Sequence, residues 1–314
     1  MRQPDFSILS MLYTEEKVKL YEISKSLKLK SNDCILEYGV FFGGSLEALY
    51  LGLQGNKTFN SHEVIGVDSF YASKKGDFYS LVIEYADKSN DKNKLEITSE
   101  YVKWYKYVQS SLSKYKNINL IKSLPNNPIL KNTNHIALLH LDMPKHYKEL
   151  RSILGNIINN IKSNTIIIFQ DYFYHWSAEI IAFGFYLIKN DLIKLEYSCM
   201  NTLGTSNNAV SEKDLELFDA KINDKEYIFS LIVESIDYFK DKVNNHKLVI
   251  LYMAAAQYAY VNKFNNKFDY YIQNINQMYS NDIKTRNLID YMKHDVKKHN
   301  YDIYNIYSYS FDGF

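Results

Sequence analysis

The chain has 314 residues, 46% of them hydrophobic and 23% charged, with a formal net charge of +1. This balance suits a globular protein of one large domain or two modest ones, and it gives neither nucleic acid nor an anionic membrane an electrostatic hold. Its two cysteines, Cys34 and Cys199, lie far apart without metal-type spacing, which points away from a disulfide framework and toward a reducing compartment.

The first residues, MRQPDFSILSMLYTEEK, have no long apolar core before a small-residue cleavage site, so a cytoplasmic protein is expected. No uncharged apolar run approaches the roughly 18 residues of a membrane span, so no membrane partner is expected either. Residues 14–29 carry Val18, Leu20, Tyr21, Ile23 and Leu27 as a helical stripe. An alternation then begins. CILEYG (34–39) reads as a strand, GSLEALYLGL (44–53) as a helix entered through glycines, EVIGVD (63–68) as a second strand and INLIK (118–122) as a third. HIALLHLD (135–142) is a fourth strand before a helix at 146–162. TIIIFQD (165–171) is a fifth, before a helix at 176–189 and a strand at 192–199.

Strands alternating with helices predict an α/β fold, a doubly wound and mostly parallel sheet covered on both faces. The stretch 71–116 breaks the rhythm. It is polar around KSNDKNK and then aromatic, and it reads either as a lid facing substrate or as a surface elaboration. Beyond about residue 210 the strand signals stop. KLVILYMAAAQYAYV is apolar on nearly every side, which predicts burial among other helices. We therefore divide the chain into a cofactor-binding domain at 1–210 and a helical C-terminal domain at 211–314, the latter a candidate surface for homo-oligomer formation.

In open α/β sheets ligands bind beyond the carboxyl ends of the strands. The first strand ends in Glu37-Tyr38-Gly39 and runs into GVFFGGS. The second ends in Asp68-Ser69-Phe70, the fourth in Asp142 and the fifth in Gln170-Asp171. One such acid is explained as a helix cap, but four along one rim point to a ligand. Gly39, Gly43 and Gly44 let backbone approach that ligand and open the next helix. Asp68 is placed to accept both hydroxyls of a ribose, and Glu37 to favour a nearby cation. S-adenosylmethionine carries both features.

The stretches ILEYGVFFGGS, VIGVDSF, NINLIKSLPN, IALLHLDMPKHY and TIIIFQDYF resemble, in order, the motifs of the macrocin O-methyltransferase (TylF-like) family. The resemblance covers roughly residues 30–190. It implies a class I S-adenosylmethionine-dependent methyltransferase fold and transfer of a methyl group to a hydroxyl of a sugar in a natural product. It further implies cofactor contacts from Glu37, Tyr38, Gly39, Gly43, Gly44, Ser45, Asp68, Ser69, Phe70 and Ser123. Many members of the family hold a divalent cation, and Asp142, Gln170 and Asp171 fall on the positions that would hold Mg²⁺ here. Two departures stand out: Gln170 replaces an acid, and Pro144 replaces a second Asp.

A metal-bound hydroxyl is more acidic, and oxygen ligands such as these suit Mg²⁺. Each of two histidines lies four residues beyond an acid, His146 after Asp142 and His175 after Asp171, and these are the candidate proton acceptors. His140 alternates with Asp142 inside a strand and reads as a core residue. The resulting expectation is an O-methyltransferase acting on a small-molecule or glycan acceptor. Its alternative is a protein that keeps the methyltransferase fold without turnover and docks a partner through the C-terminal helices. A related transferase or hydroxylase with other cofactor chemistry is a third reading.

Overall fold

The computed structural model describes residues 4–60, 62–88, 92–124, 127, 130 and 134–279. Its main sheet contains β1 (Asp33–Tyr38), β2 (Val64–Asp68), β6 (Ile118–Lys122), β7 (His135–Leu141), β8 (Ile161–Phe169), β9 (Ile193–Cys199) and β10 (Thr202–Asn207). Their order across the sheet is β6-β2-β1-β7-β8-β10-β9. The pairs β1/β2, β2/β6, β1/β7 and β7/β8 are parallel, and β10 runs antiparallel to β8. This is the doubly wound, mostly parallel sheet that the alternation predicts.

The central strands explain themselves. In β1 every residue after Asp33 is buried, and in β2 all five are, as expected where helices cover both faces. From β1 the chain builds outward through β2 and β6, then returns to place β7 on the other side of β1. The strand order therefore reverses between β1 and β7. Ligands of such sheets bind at the carboxyl ends flanking this switch point.

Two details differ from the sequence reading. The fifth strand, β8, starts earlier than expected and stops at Phe169, so Gln170 and Asp171 lie just past it. The sheet also gains β10, whose Thr, Ser and Asn lack the apolar signature of a strand. Pairing with β8, from Leu203↔Phe169 to Ser206↔Ile166, supplies what propensity does not.

Residues 71–112 fold into β3 (Tyr71–Ser73), α3 (Asp77–Lys88), β4 (Glu96–Ile97), β5 (Tyr101–Lys103) and α4 (Tyr105–Leu112), with the strands in a small sheet of order β3-β5-β4. Ala72, Val82, Val102, Trp104 and Val108 from this stretch are buried in the same apolar cluster as Phe42 and Leu46. These side chains complete the core, while Ile97 of β4 stays exposed. Within the same compact unit, α1 (Thr14–Ser26) packs on α2 (Gly44–Gln54).

Among the described residues, 144–150, 171–193 and 210–279 form a second compact unit. Its helices are α6 (Ala178–Lys189), α7 (Glu212–Asp219), α8 (Lys225–Phe239), α9 (Asn245–Val261) and α10 (Asn265–Tyr279), and α5 (Tyr147–Ile157) begins in it. Asp224 and Asn244 cap α8 and α9 by accepting from the amides of Tyr227 and Lys247, both at 3.1 Å. Ala254, Ala255 and Ala256 of α9 are fully buried, in line with its all-round apolar sequence. No described helix is long and apolar enough to cross a membrane. The tyrosine-rich tail from 301 lies outside the described residues.

Candidate functional site at the strand switch point

The turn after β1 is built around left-handed backbone. Gly39 has φ +95° and Gly43 φ +93°, conformations that a side chain resists. At Gly39 a Cβ would also lie 2.7 Å from the amide nitrogen of Met143, so the turn and the end of β7 touch backbone to backbone. The amides of Asp142 and Met143 both donate to the Tyr38 carbonyl, at 2.8 and 3.1 Å. Asp142, half-buried, is thereby fixed beside the end of β1.

Asp68 shapes the same turn. Its Oδ2 accepts from the amides of Val40 (2.9 Å) and Phe41 (3.0 Å), and its Oδ1 from that of Phe70 (2.7 Å). A carboxylate has about four lone-pair positions, so Oδ2 is saturated, and the Ser69 hydroxyl reaches the remaining place on Oδ1 at 3.5 Å. A ribose hydroxyl on Oδ1 would take the place of the Ser69 hydroxyl, the longest of these contacts. Burial raises the pKa of this acid while the three amides pull it down, with the neighbouring charge of Glu37 adding to the rise. Ser69 is half-buried beside it, and the amide of Ser123 donates to the Asp68 carbonyl at 3.0 Å, so both stand at this rim.

The start of α2 is covered by the chain itself. Ser45 is buried, and Glu47 accepts from the Ser7 hydroxyl (2.6 Å), the Ile8 amide (2.7 Å) and the Tyr115 hydroxyl (2.7 Å). A Cβ at Gly44 would meet Ser10 and the carbonyls of Leu9 and Ile8 within 3.1 Å. Gly44 thus serves the passage of the N-terminal segment over the helix. Phe70 and Tyr38 are fully buried, and the Trp104 indole donates to the Phe41 carbonyl at 2.9 Å.

Beneath the turn runs a buried polar chain. His140 Nδ1 lies 2.6 Å from Glu37 Oε1, and His140 Nε2 lies 3.1 Å from the side-chain carbonyl of Gln170. The Gln170 amide nitrogen in turn donates to Glu16 at 2.8 Å, and Glu16 also accepts from the Thr202 hydroxyl and the amides of Tyr13 and Asn201. These bonds set the direction of the whole chain. Because Gln170 gives its NH₂ to Glu16, its oxygen faces His140 and can only accept. His140 must then donate from Nε2, and opposite a carboxylate at Glu37 its Nδ1 donates as well, which makes it an imidazolium. Burial opposes that charge, but the bond to Glu37, the charges of Glu37 and Asp142, and the Gln170 carbonyl prevail and carry its pKa up to about 9.

The metal expectation meets a different arrangement. Both ends of the Gln170 amide are engaged, and Asp171 accepts from the Lys145 ammonium. Asp142 and Asp171 belong to different compact units. Among the described residues no group of three or more His, Cys, Asp or Glu side chains could hold a metal ion. The residues present do not fit Mg²⁺, because a lysine ammonium already sits on the acid that would hold it.

Of the proton-acceptor candidates, His146 is partly exposed, with Nδ1 3.9 Å from Glu179. His175 is only 3% exposed, among Tyr174 and Trp176, and burial lowers its pKa to about 4. A base must reach the proton it removes, and of the two rings His146 is the more exposed. Sequence reasoning missed Glu16, His140 and Lys145. His140 gave a faint signal in its alternation with Asp142. Glu16 gave none, since its partners other than the Tyr13 amide lie more than 150 positions away.

Neither a protein-family model nor a curated protein matches the sequence. Among solved structures, the S-adenosylhomocysteine-bound methyltransferase PaMTH1 of Podospora anserina is similar at 14% identity, over 64% of this chain and 80% of its own, with a TM-score of 0.42. The O-methyltransferase NovP is similar at 16% identity, over 64% and 82%, with a TM-score of 0.42. The TDP-rhamnose 3′-O-methyltransferase CalS11 is similar at 18% identity, over 61% and 76%, with a TM-score of 0.38. At such scores the likeness decides nothing about activity; the site has to be argued from its own residues.

Proposed function

We propose that the chain is an S-adenosylmethionine-dependent O-methyltransferase acting on a hydroxyl of a sugar or polyol. The observation that carries this reading is the fixing of Glu37 and Asp68 at the ends of adjacent strands, on either side of the Gly39 turn, with Asp142 beside them. An acid for a ribose hydroxyl, an acid for a cationic group and a left-handed glycine turn match the parts of that donor. The sequence motifs around these residues agree.

Methyl transfer needs alignment above all, since the methyl group on sulfur is already activated. In this reading Glu37 holds the charged end of the donor, and Asp68 Oδ1 holds a ribose hydroxyl in place of the Ser69 hydroxyl. His146 is the proposed acceptor of the proton that the sugar hydroxyl gives up. No step is routed through a metal. Calorimetry with S-adenosylmethionine, with Mg²⁺ and with a chelator, is the test, followed by transfer of labelled methyl to a panel of glycosides. Binding of equal strength in both buffers is expected. Failure to bind the donor in either would end the enzyme reading.

A second reading has its own support. Pro144 stands where the resembling family has an acid, and Lys145 and Glu16 engage the two positions after β8. A protein that binds the donor or a glycan without turnover is consistent with those contacts. Donor binding with no labelled product across the panel would select it.

A further inference from the structure

Glu37 is fully buried, and its Oε2 has no hydrogen-bond partner among the described residues. Native folds rarely leave a buried carboxylate oxygen unmatched, and such an atom asks for a donor from outside the chain. Its other oxygen is held at 2.6 Å by a group that is itself held. The line Glu37–His140–Gln170–Glu16 crosses β1, β7 and the residue after β8, and ends in the first turn of α1. Glu16 is fixed at that far end by two backbone amides and the Thr202 hydroxyl.

We propose that Glu16, Gln170 and His140 form a positioning relay that orients Glu37, so that its second oxygen receives the ammonium of the donor's amino-acid end. The proposal rests on the methyl-donor reading above and deepens it. Polarity makes the relay directional. Glu16 fixes which way the Gln170 amide faces, that amide fixes His140 as a double donor, and His140 takes one Glu37 oxygen and leaves the other. An acid at position 170 would place three carboxyl groups around one imidazole and remove the NH₂ that Glu16 needs. The glutamine that departs from the resembling family is the residue that this geometry requires.

The relay also explains why α1, distant in sequence from the strand ends, is tied to them at Glu16. Burial raises the pKa of Glu16, and the donors from Tyr13, Thr202, Gln170 and Asn201 counter only part of that rise.

The test compares two probes in the full chain, S-adenosylhomocysteine and 5′-methylthioadenosine. They share the nucleoside and thioether, and only the first carries the ammonium. Gln170→Met breaks both bonds of the relay at nearly constant volume. Loss of one charge-assisted hydrogen bond corresponds to about tenfold in affinity or more. We expect Gln170→Met to weaken S-adenosylhomocysteine by that factor and to leave 5′-methylthioadenosine within about twofold. Gln170→Asn, one methylene shorter and unable to reach both partners, serves as the second variant should the first not fold. Glu16→Gln keeps an acceptor for the Gln170 amide and should retain most of the wild-type preference. Equal weakening of both probes, or no change in either, overturns the relay while leaving the methyl-donor reading intact. A wild-type chain that binds neither probe overturns that reading and the relay with it.

Discussion

His140 and His175 are both buried, one between Glu37 and Gln170 at the end of β7, the other among aromatic rings before α6. Burial disfavours an imidazolium at both places. At His175 it acts alone in lowering the pKa to about 4, whereas at His140 the Glu37 bond overcomes it and the pKa rises to about 9. Depth therefore does not decide the charge of a buried histidine. What decides it is whether the topology delivers a carboxylate, and here two parallel strands do so through the register Glu37↔His140.

The comparison is broken most forcefully by removing each ring. His140→Leu leaves Glu37 buried without its cation, and breaking such a pair costs about 3–5 kcal/mol. His175→Leu removes no charge near neutral pH and should cost about 1 kcal/mol. Urea denaturation of both variants at pH 7 measures this. Equal losses would mean that the His140 charge has been misassigned. Adding Glu37→Gln to His140→Leu should recover part of the loss, since the stranded carboxylate is then gone.

The two rings should also shape stability against pH from opposite sides. The pKa of His140 is raised from 6.5, so its contribution is complete below 6.5 and fades as the pH climbs through about 9. The pKa of His175 is depressed from 6.5, so its contribution is present above 6.5 and fades as the pH falls through about 4. Each limb is worth up to about 3 kcal/mol. Melting curves across this range should peak between the two limbs. His140→Leu should flatten the alkaline side alone, and His175→Leu the acid side alone.

The same contrast separates what was legible in the sequence from what was not. Continuous apolar runs such as CILEY and VIGVD announce strands covered on both faces, because nothing else buries every side chain of a short segment. The acids ending those strands were legible too, since a carboxylate at a position that favours Val or Ile needs a reason. Partners were not legible. Gln170 read as a ligand because it falls on a metal-holding position of the resembling family, but its side chain bonds Glu16 and His140, and Glu16 in turn is held by Thr202 of β10, a strand with no apolar signature. Likewise the polar KSNDKNK concealed that Val102 and Trp104 a few residues on complete the main core. Periodicity reports which side of an element is buried, and carries no information on which distant polar group it meets.

The turn offers a smaller and sharper test. Gly39→Ala puts a Cβ on left-handed backbone and within 2.7 Å of the Met143 amide nitrogen. Strain of this kind costs about 1–3 kcal/mol and would push the turn from the end of β7. Loss of S-adenosylhomocysteine affinity beyond the loss of stability is expected. A variant that binds as the wild type does would show that the close approach of turn and strand is structural only.

The smallest effect concerns the cation. The Lys145–Asp171 pair is about a quarter exposed on each side, and pairs open to solvent contribute about 0–1 kcal/mol. Asp171→Asn should therefore shift the melting temperature little. Saturating Mg²⁺ provides the counterpart, because an ion at 100 times its Kd would add about 2.7 kcal/mol to a fold that binds it. With the ammonium of Lys145 on Asp171 and both ends of Gln170 engaged, melting in Mg²⁺ and in chelator should coincide. A clear upward shift in Mg²⁺ that Asp171→Asn abolishes would place the ion on Asp171 and require Lys145 to yield to it, whereas a shift that survives this substitution would place the ion elsewhere.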